Sequence, residues 1–153
     1  MAEQLIIFGS EQLIWLIPAA GFAFFTVQEQ SIKKRMVLFG AMVLPIAYII
    51  AVAVRSFFYS PRPFVESGIA PLIPHAPDNG FPSDHTLLGA AIATALYPFS
   101  KKLSAFLWVV TALVGASRVL AGVHHGIDVL ASMLIAGGTG FFAYYIAKKF
   151  RLW

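Results

Sequence analysis

The chain has 153 residues, 59% of them apolar and 12% charged, with a formal net charge of +4 and no cysteine. Soluble domains run at about 45–50% apolar and 25% charged, and a chain this short has too little interior to hide the excess. Lipid must solvate part of it, so the class is integral membrane protein. A disordered segment, a nucleic-acid-binding domain and a disulfide scaffold are excluded, as are thiolate metal sites and cysteine nucleophiles.

A membrane-crossing helix needs about 20 mostly apolar residues to span a core of roughly 30 Å. Five segments qualify in chain order. Residues 13–27 form a short first one, preceded by apolar 5–8 and an interruption at Ser10, Glu11 and Gln12. Residues 36–54 are uncharged and end at Arg55. Residues 86–99 are again short, and span if Ser83 and His85 sit in a protein-lined mouth. Residues 103–117 lie between Lys102 and Arg118, and 129–147 between Asp128 and Lys148. Glu3 and Gln4, rather than cations, precede the first segment, which reads as a retained helix and not as a cleaved signal peptide.

The predicted fold is an all-α polytopic membrane helix bundle, a single domain over 1–153 with about five transmembrane helices. An ordered outer loop joins the second to the third, over residues 56–82, with six of the nine prolines; loops this long inside a compact protein are functional or disordered. Lys33, Lys34, Arg35, Lys101, Lys102, Lys148, Lys149 and Arg151 then fall on one face, which is cytoplasmic. This puts the N-terminus outside and the C-terminus inside. Arg55, Arg62 and Arg118 break that pattern together on the outer face, joined there by all four histidines. Charge at the edge of an apolar bundle is expensive, so its default reading is functional.

Three arginines at the ends of separate helices can converge on one small anion, since guanidinium forks match phosphate oxygens and stay protonated. The bland alternative is three separate pairs with Glu66, Asp78 and Asp84, or contacts with lipid headgroups. The histidines favour the anion. His124 and Asp128 stand four apart and share a face if a helix begins near His124. A carboxylate on one ring nitrogen leaves the other free to attack phosphorus. His85 closes Phe81-Pro82-Ser83-Asp84-His85 at a helix start, where Ser83 suits an N-cap or a hydroxyl donor to the anion and His85 a general acid. His125 reads as a structural neighbour and His75 as a solvated loop residue. A metal held by His85, His124, His125 and Asp128 is the rival reading; three arginines in the same mouth would repel a dication.

Arg55 with six residues before Arg62-Pro63, then Pro82-Ser83-Asp84-His85, then Ser117-Arg118 with five residues to His124 and three more to Asp128, resembles the tripartite signature of the type-2 phosphatidic acid phosphatase superfamily, which vanadium haloperoxidases share. The resemblance implies that Arg55, Arg62 and Arg118 hold phosphate, with help from Ser83 and nearby backbone amides. It also implies that His124 forms a phosphohistidine, that Asp128 orients it and that His85 protonates the leaving group, with no metal or other cofactor. Arg55 stands where the family more often has Lys, Asp84 where it usually has Gly, and five crossings where six are common. The Pro-Ser-Asp-His form resembles bacterial undecaprenyl-diphosphatases.

The expected function is therefore a phosphatase acting on a membrane lipid phosphate, with undecaprenyl diphosphate ahead of phosphatidylglycerol phosphate, phosphatidic acid or a lipid A phosphate. Its place is the cytoplasmic (inner) membrane of a prokaryote, with the site on the outer face and no nucleic-acid partner. A non-catalytic headgroup binder or transporter subunit accounts for the arginines but not for the histidines, and a vanadate-dependent oxidase is a third reading. Oligomeric state is not legible in the sequence.

Overall fold

The computed structural model describes residues 1–150, so Arg151 of the cation cluster expected on the cytoplasmic face lies outside the described residues. Seven α-helices follow one another: α1 Ala2–Glu11, α2 Leu16–Thr26, α3 Gln30–Phe57, α4 Pro63–Ser67, α5 Asp84–Leu96, α6 Lys101–Leu120 and α7 Gly126–Lys149. Three of them, α3, α6 and α7, are long and apolar enough to cross a membrane. A fourth crossing is possible if Ala2–Glu11 and Leu13–Thr26, bent by 42° at their junction, count as one span. The bend falls where Ser10, Glu11 and Gln12 interrupt the apolar run, and a 3-10 turn over Leu13–Trp15 carries the chain through it.

The third predicted crossing is α5, with 13 residues. At about 1.5 Å per residue it covers roughly 20 Å, less than the hydrocarbon core. It works as the bundle's axle, packing on α2, α3, α6 and α7. Its small residues make this possible: Gly89, Ala90, Ala91, Ala93 and Ala95 are all buried. A Cβ on Gly89 would stand 2.8 Å from the Thr111 hydroxyl of α6. On α7, a Cβ on Gly140 would run into Thr94 of α5. The Gly137-Gly138-Thr139-Gly140 stretch is thus used, at Gly140, for packing within one chain.

Around this axle, Ile17, Leu107, Val110 and Val114 fill one buried cluster, and Phe39 and Val43 another. Large apolar side chains such as Leu38, Ile49, Leu134 and Phe141 point outward and stay exposed. An apolar exterior on an apolar core is what a bilayer solvates. The molecule is an all-α, multi-pass membrane bundle.

Residues between α3 and α5 fold back across one end of it. Pro61 bridges Asn79, and the Asn79 side chain accepts from the Ser60 and Phe81 amides and donates to the Phe58 carbonyl. Leu72 donates its amide to the Ala121 carbonyl, tying the connection to the end of α6.

Candidate active site

The sequence-predicted residues collect at one end, where α3 and α6 finish and α5 and α7 begin. His124 is nine-tenths buried or more, at 3% exposure, and lies ahead of α7, whose N-cap is His125. The expectation of a shared helical face therefore needs correction: only Asp128 is helical, in the first turn of α7. The two still meet, with His124 Nδ1 at 3.5 Å from Asp128 Oδ2. A nearer acceptor is the Gly80 carbonyl, at 2.9 Å from Nδ1. A carbonyl can only accept, so Nδ1 carries the hydrogen and Nε2 keeps its lone pair. Asp128 Oδ2 also accepts the His125 amide at 2.8 Å, which anchors the start of α7.

That lone pair faces a guanidinium. Arg62, 5% exposed at the N-cap of α4, brings Nη1 to 3.4 Å from His124 Nε2 and donates from the same nitrogen to the Val123 carbonyl at 2.8 Å. Its Nε donates to Asp78 at 2.8 Å. Burial pushes the Asp78 carboxyl up, but the Arg62 hydrogen bond and charge hold it below the usual range, so it stays ionised. Burial, first of all, lowers the His124 pKa from the ordinary 6.5. Asp128 pulls it back up, and the charges of Arg118 and Arg62 press it down again. The net direction is down, which keeps the ring neutral at pH 7.

Arg118, 3% exposed near the end of α6, reaches the Ser10 carbonyl with Nη1 at 3.4 Å, while its Nε is buried without a partner. A buried, unsatisfied donor is costly and needs an explanation. Arg55 is placed differently. It bonds the Phe81 and Pro82 carbonyls and pairs with Asp84 at 2.6 Å. Two of the three arginines thus have carboxylate partners, as the bland alternative supposed, but Glu66 pairs with His125 at 3.2 Å instead.

Ser83 is fully buried at the N-cap of α5, yet its hydroxyl makes no capping bond; it accepts from the Thr86 hydroxyl at 3.1 Å. Its amide donates to the Asp128 carbonyl at 3.2 Å, and its carbonyl accepts from Ser132 at 2.8 Å. These bonds fasten the second motif to the third. His85, in the first turn of α5, is half-buried.

Sequence reasoning missed three participants. The Gly80 carbonyl orients His124, and Gly80 is small for a reason: a Cβ there would stand 3.3 Å from both Asp128 Oδ2 and the Ser60 carbonyl. The Ser10 carbonyl, from the far end of the chain, holds Arg118. His75 is corrected from solvated loop residue to half-buried neighbour, its ring edge-on to that of His124 with centroids 6.1 Å apart. Burial, followed by the charges of Arg62 and Arg118, lowers its pKa. Among the described residues, no three of the His, Asp and Glu groups stand close enough to hold a metal ion.

A neutral imidazole with a free nitrogen lies beside desolvated guanidiniums at one end of a lipid-facing bundle, in a multi-pass membrane protein. Residues 19–152 match the PAP2 superfamily, and the chain belongs to that family, whose fold is that of PAP2-type phosphoric ester hydrolases. Over 151 residues it is 30% identical to the bacitracin transport permease protein BcrC of Bacillus licheniformis, covering 97% of this chain and 73% of that one. It is 33% identical to the undecaprenyl-diphosphatase BcrC of Bacillus subtilis over 78% of this chain, spanning 62% of that relative's length. Among solved structures, the crystal structure of Aquifex aeolicus LpxE superposes with a TM-score of 0.68 at 25% identity, over 93% of this chain and 82% of that one.

Proposed function

We propose that the protein is a lipid phosphatase that releases phosphate from a membrane lipid diphosphate, with undecaprenyl diphosphate as its preferred substrate. One observation carries the reading: His124 holds its hydrogen on Nδ1, against the Gly80 carbonyl, and turns Nε2 toward Arg62. A lone pair there serves a nucleophile, and a positive charge beside it draws in the phosphoryl group to be attacked.

In this scheme Arg62, Arg118 and Arg55 hold the phosphate oxygens, with the Ser83 hydroxyl as a further donor. The unpartnered Nε of Arg118 gains its acceptor when the phosphate arrives. His124 Nε2 bonds to phosphorus while the bond from phosphorus to the leaving oxygen breaks, and His85 gives that oxygen a proton. Water then cleaves the phosphohistidine. Asp128 and Gly80 keep the ring in its productive tautomer throughout. Most of the catalytic effect is charge stabilisation of the transferring group.

The proposed membrane placement has five crossings, with the bent α1–α2 unit first and the short α5 third, residues 56–82 ordered over the outer mouth, and the enzyme in a prokaryotic cytoplasmic membrane. Lys33 and Lys34, Lys101 and Lys102, and Lys148 and Lys149 lie at the helix ends remote from the site. This supports a site outside, an N-terminus outside and a C-terminus inside. The name of the Bacillus licheniformis relative favours a transport role as second reading; a transporter would have no use for the nucleophile geometry at His124.

The test is phosphate release by purified protein in detergent from undecaprenyl diphosphate, phosphatidylglycerol phosphate, phosphatidic acid and a lipid A phosphate, with and without EDTA. Turnover fastest on the diphosphate and insensitive to EDTA is expected. No release from any of the four defeats the proposal, and strict metal dependence revives the His/Asp ligand set.

A further inference from the structure

Arg55 stands apart from the other two arginines. Its side chain is 32% exposed, and the three hydrogen bonds from its guanidinium all go to residues 81–84. Nε donates to the Phe81 carbonyl at 3.2 Å, and Nη2 donates to the Pro82 carbonyl at 3.3 Å and to Asp84 at 2.6 Å. Arg62 and Arg118 are almost wholly buried, and the arginine charges that act on His75 and His124 are theirs. Arg62 also has a carboxylate partner, Asp78, but keeps Nη1 at 3.4 Å from His124 Nε2, whereas every guanidinium bond of Arg55 goes to residues 81–84.

Asp84 is also the upper wall of something else. A groove of about 250 Å³ runs between α3 and α5, walled below by Leu44, Ala47, Tyr48, Leu87, Leu88 and Ala91. Those side chains suit a hydrocarbon chain, and Asp84 of the Arg55–Asp84 pair is the one charged residue in the lining. A lipid whose tail lies in it passes its headgroup by that pair on the way to His124.

We propose that Asp84 is a specificity-determining residue that favours headgroups with two phosphates over those with one, by occupying Arg55 until a second phosphate displaces it. This rests on the phosphatase reading above. A single phosphate dianion is matched by Arg62 and Arg118 and leaves Arg55 with Asp84. A diphosphate carries its inner phosphate between the attacked phosphorus and the tail, alongside Arg55. Phosphate brings more charge and more acceptor oxygens than one carboxylate. A pair as exposed as this, with Asp84 at 61%, is weak and readily exchanged. Removing the carboxylate opens Arg55 to a monophosphate as well, and the preference shrinks.

Purified full-length protein is assayed with a prenyl diphosphate and the prenyl monophosphate of the same tail, as wild type and as Asp84→Asn, Asp84→Ser and Asp84→Glu. Wild type is expected to favour the diphosphate. Asn and Ser are expected to narrow the ratio of kcat/KM values by about three- to tenfold, through a lower KM for the monophosphate, with kcat on the diphosphate little changed. Glu, which retains the carboxylate, is expected to keep most of the preference. A ratio unchanged in both Asn and Ser, or equal losses on both substrates, overturns the proposal and leaves Asp84 as a helix-start residue. Hydrolysis of neither substrate by wild type overturns the phosphatase reading, and this inference with it.

Discussion

The two ends of the bundle carry the same sign of charge in opposite states. At the end remote from the site, Lys34, Arg35, Lys101, Lys102, Lys148 and Lys149 are exposed, each free to remain hydrated. At the site end, Arg62 and Arg118 are buried to 5% and 3% exposure, and His124 and Asp128 to 3% and 0%. A hydrated lysine costs the fold almost nothing and orients the chain in the membrane. A buried guanidinium loses its water and must recover the energy from carbonyls, carboxylates or a ligand. The contrast teaches that cation position reports topology and cation burial reports chemistry.

The sharpest way to break this contrast is His124→Ala. Loss of the proposed nucleophile is expected to lower phosphate release by at least about a thousandfold, with the protein still extracted as a folded species in detergent. Near wild-type turnover would remove the chemical meaning assigned to the site end. Next in size is Arg118→Lys, which keeps the charge but loses the planar fork and the buried Nε. A drop of about ten- to a hundredfold in kcat/KM is expected, the range for one hydrogen bond to a charged group; a change under twofold would mean Arg118 is structural.

A pH profile sharpens the picture further. Protonated Nε2 has no lone pair, so activity falls as pH drops through the His124 pKa. Burial and the neighbouring arginines hold that pKa below 6.5, so the acid limb of kcat/KM should lie below 6.5 and move upward in Arg62→Gln. An acid limb above 6.5 in the wild type contradicts the assignment. The smallest effect is expected at the other end. Lys101→Gln with Lys102→Gln, on exposed residues, should leave kcat/KM within about twofold and unfolding within roughly 0.5 kcal/mol, as read by phosphate release and thermal unfolding in detergent.

Much of this was legible from spacing and hydropathy. Uncharged runs of 19, 15 and 19 residues mark α3, α6 and α7, because lipid tolerates few charges. The segment at α5 is harder, because its small residues serve close packing with four neighbours and its length falls short of a bilayer. The site's side chains were also legible, since Arg62, Arg118, His124 and Asp128 are charged where charge is expensive. Gly80 and Ser10 were not: both act through backbone carbonyls, which every residue has, and only folding says which carbonyl meets which ring or guanidinium. His75 stayed hidden for a related reason, since a loop residue's burial depends on where the loop lies.

By itself the sequence determined the class, the apolar segments, the grouping of cations by helix end and the identity of the ionisable groups at the opposite end. Those follow from the chemistry of single side chains in lipid and from periodicity along the chain. Tertiary structure decided which tautomer His124 holds, that Arg118 keeps a donor unpartnered and that Arg55 is taken by Asp84. These are relations between residues distant in sequence, settled by distances of a few ångströms that spacing along the chain does not encode.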